Sequence, residues 1–95
     1  MPISEDVREK VKAGERVEVK VKMGAVSHPM SAAHYIESVQ LFAGNEPAGR
    51  MEFSPLFSGP EAVFMVSMDR SVTLVARSYC NLHGLWESRA EVTVT

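Results

Sequence analysis

Cys80 and His83 stand three residues apart in a Cys-Asn-Leu-His-Gly segment near the end of the printed chain. A thiolate and an imidazole in one short turn can bind the same metal ion, although this spacing alone is a weak signal. The other two histidines, His28 and His34, flank a stretch of small residues around Pro29 that predicts a loop. Because loops on a rigid scaffold often carry functional groups, we expect the four side chains to meet at one site.

The types of ligand restrict the metal. Imidazole suits iron, copper, nickel and zinc, one thiolate narrows the choice to iron, zinc or copper, and calcium and magnesium prefer oxygen ligands. From the residues alone, Cys80 could instead be a buried packing residue, and His28 and His34 could be exposed loop residues. As the only cysteine of the chain, Cys80 cannot form an intrachain disulfide.

The composition is that of an ordinary globular protein. The 95 residues predict one domain, 1–95, with 45% hydrophobic and 23% charged residues. A small core of this kind favours a homo-oligomer. The net charge of -2 gives no field to attract nucleic acid or an anionic membrane. Because no apolar run follows Met1, we expect no secretory signal or transmembrane helix, and hence a cytoplasmic location.

Alternating hydrophobic and polar residues predict an all-β fold. One clear strand begins at Arg16, with valines on one face and charged side chains on the other. The interval from Ser4 to Lys12, with Ser4 as N-cap and Gly14 as a stop, predicts a short N-terminal helix. The strands are predicted over 16–23, 35–42, 50–53, 62–68, 72–80 and 89–95. Together they indicate an immunoglobulin-like antiparallel β-sandwich of about seven strands.

Three blocks of the sequence carry a resemblance to a known family: Tyr79-Cys80-Asn81-Leu82-His83-Gly84-Leu85-Trp86-Glu87, His28-Pro29-Met30 and His34-Tyr35-Ile36-Glu37. These segments closely resemble the iron domain of the superoxide reductases, the desulfoferrodoxin and neelaredoxin family. The resemblance implies an immunoglobulin-like sandwich with one mononuclear, non-haem ferrous ion, bound by four equatorial histidines and an axial cysteine.

Carried over by position, the resemblance makes Cys80 the axial, catalytically important thiolate. It makes His28, His34 and His83 three of the equatorial ligands. The implied reaction is reduction of superoxide to hydrogen peroxide, with electrons from a small donor such as rubredoxin.

One departure from the family is visible in the sequence. Members of the family carry an early Lys-His-Val-Pro segment. The most similar segment of this sequence, 9–12, has Val11 at the position of that histidine, and the sequence contains no fourth histidine. We therefore assign no function to Glu9 or Lys10. Three histidines and a cysteine could take water as a further ligand, hold metal loosely, or close around zinc.

A weaker similarity suggests another reading of the chain. The stretch 13–20, followed by Ser27-His28-Pro29-Met30, is similar to the opening of SoxZ-type sulfur carrier subunits, which are also β-sandwiches. The alternative function is therefore a degenerate family member that acts as a metal-binding or carrier module without reductase activity.

Overall fold

The computed structural model describes residues 3–24 and 29–95. These residues form eight strands and no helix, so none of them belongs to a helix long and apolar enough to cross a membrane. The strands are β1 (Ile3–Asp6), β2 (Lys10–Val11), β3 (Val17–Met23), β4 (Ile36–Ala43), β5 (Glu46–Glu52), β6 (Glu61–Val66), β7 (Val72–Cys80) and β8 (Gly84–Val94).

Two sheets form the predicted β-sandwich. The smaller sheet has the order β1-β3-β6, and the larger sheet has the order β2-β8-β7-β4-β5. All neighbouring strands are antiparallel except β2 and β8, which form a two-residue parallel pair. The inward side chains of both sheets make one core, to which β3, β4 and β7 contribute most of the fully buried residues.

The alternation in β3 explains its place at the centre of the smaller sheet. Val17, Val19, Val21 and Met23 are almost fully buried, whereas the residues between them are exposed or half-buried. Side chains on a strand point alternately to opposite faces, so a period of two buries one whole face. This part of the sequence prediction is confirmed.

The predicted N-terminal helix is wrong. The segment forms β1, which pairs with β3 from Ile3 opposite Met23 to Asp6 opposite Lys20, and then the short β2. Ser4 and Asp6 are exposed while Ile3 and Glu5 are half-buried, which is a strand pattern. Pairing along the open edge of β3 therefore outweighed the favourable helix-cap residues, whose helix would have had only a thin apolar face.

Two predicted strands differ in their surroundings. The apolar run 62–68 contains β6, which lies at a sheet edge and exposes Val63 and Met65. In β7, Val75 is buried together with Leu74 and Ala76, so burial does not alternate at these three positions. The edge strand β5 is longer than its predicted range 50–53, since it pairs with β4 from the turn onward.

Strand directions bring three connections to one end of the sandwich. The β3–β4 connection, the β5–β6 loop and the β7–β8 turn all lie where Met23, Ile36 and Cys80 stand at strand ends. The start of β1 lies at the same end, because Ile3 pairs with Met23. We call this the site end, and the end with the 12–16, 44–45 and 67–71 connections the opposite end.

Candidate metal centre

Three of the four predicted ligands meet at the site end. The possible donor atoms of His34, Cys80 and His83 all lie within 4.8 Å of one another. The His34 Nε2 to His83 Nδ1 distance is 3.3 Å, and Cys80 Sγ lies 3.8 Å from His83 Nδ1. The two rings meet edge to face, with centroids 4.7 Å apart. His34 lies 49 positions before His83 in the chain, so the fold creates the cluster.

Cys80 is fixed by its position at the end of β7. Its side chain is fully buried on the inward face, and its backbone pairs with Ile36 on one side and Gly84 on the other. Between Ile36 and Ser38 the register shifts, so that Glu37 is an extra residue in β4 beside this pair. Bulges of this kind often redirect side chains next to functional sites.

Asn81 joins the turn that carries Cys80 to the loop that carries His34. Its side-chain Oδ1 accepts a hydrogen bond from the Tyr35 backbone N–H at 2.8 Å, and its Nδ2 donates to the Ala33 carbonyl at 2.9 Å. Its own backbone N–H donates to the Tyr35 carbonyl at 3.1 Å. Asn81 positions His34 through both neighbouring peptide groups.

His83 is held by the residues that follow it. Gly84 has φ +75°, a left-handed conformation that side chains resist, so the turn requires glycine after His83. The indole N–H of Trp86 donates to the His83 carbonyl at 3.1 Å. The Trp86 side chain remains 38% exposed beside the site.

His34 occupies a tight turn of its own. Ser31 and His34 exchange backbone hydrogen bonds of 3.0 and 3.2 Å, which fixes the loop immediately before β4. The sulfur of Met30, which packs against the core, accepts a hydrogen bond from the Ile36 N–H at 3.4 Å. The loop is therefore anchored at both of these points, as a ligand-carrying loop must be.

Exposure rises across the cluster. Cys80 is buried, His34 is half-buried and His83 is exposed. The sulfur thus lies against the protein interior, and the imidazole side faces solvent.

The fourth predicted ligand and the 9–11 segment are separate cases. His28 lies outside the described residues. Val11 is buried at the opposite end, where it pairs with Val94. Because Cys80 pairs with Gly84, ten positions along β8 separate the two places, a distance of about 33 Å. Glu9, Lys10 and Val11 therefore do not occupy the place of a fourth ligand.

Comparison with known proteins decides the family. The desulfoferrodoxin family model matches residues 1–89. The chain belongs to the desulfoferrodoxin family. It is 34% identical to a superoxide reductase of Pyrococcus furiosus over 99% of this chain and 86% of that protein. It is also 42% identical to a desulfoferrodoxin of Desulfarculus baarsii over 73% of this chain, which spans about half of that longer relative (51%).

A solved structure confirms the fold. The superoxide reductase (neelaredoxin) from Ignicoccus hospitalis superposes with a TM-score of 0.91 at 36% identity, covering 100% of this chain and 81% of that one. These comparisons confirm the resemblance to the superoxide reductases that the sequence showed. They also confirm the β-sandwich fold and an oxidoreductase of the superoxide reductase kind. The family is one of non-haem iron proteins, and the cluster of His34, Cys80 and His83 supplies suitable ligands. Nothing in these comparisons supports the zinc alternative.

Proposed function

We propose that this chain reduces superoxide to hydrogen peroxide at one mononuclear non-haem iron held by His28, His34, His83 and Cys80. The observation that carries the proposal is the convergence of three of these side chains within 4.8 Å at the rim of the sandwich. Relatives named superoxide reductases match almost the whole chain, which supports the same reaction here.

The donor set fits iron. Imidazole nitrogens and a thiolate suit a ferrous ion, and no carboxylate belongs to the cluster within the described chain. Cys80 anchors one side of the proposed site in the core, because its sulfur is buried. On the other side His83 is exposed, and superoxide would enter there.

The reaction needs one electron and two protons for each superoxide, which together give one hydrogen peroxide. Bound iron would supply the single electron. Cys80 would hold the iron as a thiolate, which would donate electron density to it, and the burial of Cys80 keeps water away from the sulfur. His83 lies on the exposed side, where solvent can deliver both protons.

The number of histidines sets a limit on the protein ligands. Three imidazoles and one thiolate are available, one imidazole fewer than the family resemblance implies. We propose water as the further ligand, because the exposed side of the cluster is open to it. Such a site binds metal less tightly than one with four imidazoles, so the residues that orient the remaining ligands gain importance.

Continued turnover requires an external reductant. We propose a small electron-transfer protein such as rubredoxin, which would contact the surface beside the site. Leu82 and Leu85 are each more than 60% exposed there, next to the half-exposed Trp86. Interfaces between redox partners are often small, so a patch of this size suffices for a transient contact.

The product ratio tests the proposed function. Iron-loaded, pre-reduced protein is mixed with a limited amount of superoxide, and hydrogen peroxide and dioxygen are both measured. A reductase yields one peroxide per superoxide and no dioxygen, while dismutation yields one of each for every two superoxides. Cys80→Ser should lose the reaction, and the surface variant Asn45→Ala should retain it. Unchanged superoxide in the presence of the iron-loaded wild type would reject the proposal.

A further inference from the structure

A carboxyl group points into the interior between the two sheets. Glu5, on β1 of the smaller sheet, accepts a hydrogen bond through Oε2 from the hydroxyl of Ser88 on β8 of the larger sheet, at 2.9 Å. Its other oxygen, Oε1, is buried and has no hydrogen-bond partner among the described residues. The Glu5–Ser88 hydrogen bond thus links the sheets, and one carboxyl oxygen remains unsatisfied.

A second unsatisfied polar group lies on the same side of the larger sheet. Ser78 is fully buried, and its hydroxyl has no hydrogen-bond partner in the described part of the chain. It stands on β7 opposite Trp86, which makes it a diagonal neighbour of Ser88. Cys80 follows Ser78 by two residues and therefore lies on the same inward face. Glu5, Ser88 and Ser78 therefore all face the interior, and Ser78 lies two residues before the proposed ligand Cys80.

No charged side chain faces Glu5 among the described residues packed around it. The elements against it are β3 and β8, with β7 beside β8. Their inward residues are uncharged, and Cys80 is the one titratable group among them: Val19, Val21, Met23, Ala76, Ser78, Cys80, Trp86, Ser88 and Ala90. The charged residues beside these positions on β3 and β8 alternate to the outward faces: Lys20, Lys22, Glu87 and Arg89.

This environment favours the protonated carboxyl. Burial raises the pKa of Glu5 to about 7, and the hydrogen bond from Ser88 opposes that rise only in part. The group can therefore gain or lose a proton near neutral pH in response to a small change in nearby charge.

We propose that the buried carboxyl of Glu5 takes up a proton when the metal centre that Cys80 would help to hold is reduced, and releases it when that centre is oxidised. This inference rests on the proposed function. Reduction brings one electron from the donor protein and one proton from solvent to Glu5. Oxidation passes the electron to superoxide and returns the proton to solvent. The direction follows because a more positive centre stabilises the carboxylate.

The expected coupling is measurable. Ser88 lies four residues along β8 from Gly84, the partner of Cys80, which corresponds to about 13 Å. One unit charge about this far from the Glu5 carboxyl changes its proton affinity about tenfold at an effective dielectric constant of about 20. By reciprocity, ionisation of Glu5 changes the redox equilibrium constant by about tenfold.

A redox titration across pH tests the proposal. In the iron-loaded wild type, we expect the equilibrium constant for reduction to fall by about tenfold as the pH rises through the pKa of Glu5. In Glu5→Gln this step should disappear. Asp6→Asn is the matched control, because it removes the same charge from the neighbouring, outward position, and it should behave like the wild type. An identical pH dependence in Glu5→Gln and wild type would overturn the inference.

A second measurement covers the case in which Glu5→Gln fails to fold. Redox-difference infrared spectra of wild type with isotope-labelled glutamate should show a protonated carboxyl that appears on reduction. Ser88→Ala, which keeps the acid and removes its hydrogen-bond donor, should shift that band. Absence of such a band in a protein that binds iron and consumes superoxide overturns the inference and leaves the proposed function intact. A protein that binds no iron overturns both.

Discussion

The two ends of the sandwich differ sharply in chemistry. Among the described residues, the site end carries most of the exposed large hydrophobic side chains: Leu56, Phe57, Tyr79, Leu82, Leu85 and Trp86. The opposite end is polar. There Arg8 and Glu15 form an ion pair of 2.6 Å, Glu15 also accepts the Lys12 N–H, and the Gly14 N–H donates to the Met68 carbonyl.

From this difference we infer that the opposite end contributes to stability and that the site end serves binding. Loops at the opposite end are closed by their own hydrogen bonds and need no partner. At the site end, the connections carry the proposed metal ligands His34 and His83, a hydrogen-bonding asparagine and exposed apolar groups, which are features of binding surfaces. Changes at the site end should therefore affect metal binding, and matched changes at the opposite end should affect stability alone.

The largest effect is expected from the imidazole ligands. His34→Ala and His83→Ala each remove a donor whose replacement by water recovers little affinity, so we expect iron affinity to fall by more than about 100-fold. Competition with a chelator measures this. Retention of wild-type affinity in either variant would show that its side chain is not a ligand.

Asn81→Ala should come next. The change leaves the Tyr35 N–H and the Ala33 carbonyl without their side-chain partner and loosens the His34 loop. Loss of such an orienting group costs about 10-fold to 100-fold in metal affinity. The control is Asn45→Ala, in the exposed turn at the opposite end, which should leave affinity unchanged. Equal affinities for the two variants would contradict the role given to Asn81.

The pH dependence of stability tests the buried carboxyl. The pKa of Glu5 is about 7 in the folded protein, above its ordinary value of 4.5. The protonated carboxyl of Glu5 therefore makes its full contribution to the free energy of unfolding below pH 4.5. This contribution is lost as the pH rises through 7. After allowance for solvent screening, we expect a loss of about 1 to 2 kcal/mol, measured by denaturant unfolding of the metal-free protein. Glu5→Gln should flatten that decline, whereas a decline of the same size in the variant would assign it to other groups.

Alanine substitutions at two glycines distinguish the effect of backbone strain on stability from the effect of turn geometry on metal binding. Gly84 and Gly14 both have a left-handed φ, +75° and +76°, and an added methyl group would meet no atom within 4 Å at either position. Alanine should therefore cost each about 1 kcal/mol of unfolding free energy. Only Gly84→Ala should also weaken iron binding, because it follows His83. Equal iron affinities in both variants would mean that the turn tolerates the change.

The smallest effect is expected at the ion pair of the opposite end. Arg8→Ala removes an exposed partner of Glu15, whose pKa that arginine lowers through a hydrogen bond. Exposed pairs contribute little to stability, so the variant should keep its iron affinity and lose little resistance to denaturant. A clear loss of iron would show that the two ends are coupled.

Much of the larger sheet could be predicted because its strands alternate regularly and end at turn residues. Cys80, His34 and His83 were chosen as candidate ligands from their residue types and from the family string around them, and the structure brings these three side chains together. The N-terminal strand was missed, since Ser4, Glu5 and Asp6 equally suit a helix start. Its pairing depends on β3, which lies far along the chain, and a local pattern carries no information about that edge.

The inward side chain of Glu5 could not be predicted either. Once β1 is known as a strand, alternation with Ile3 would place Glu5 inside, but its contact with Ser88 joins residues 83 positions apart. In the same way, Asn81 was visible beside Cys80, but its bond to the Tyr35 loop depends on the pairing of β4 and β7. Long-range contacts of this kind follow from the topology.

X-ray absorption at the iron edge of anaerobically loaded protein tests the central claim most directly. The account predicts one sulfur neighbour and imidazole nitrogens around the iron, with the sulfur contribution lost in Cys80→Ser. An iron surrounded only by oxygen and nitrogen in the wild type would contradict it.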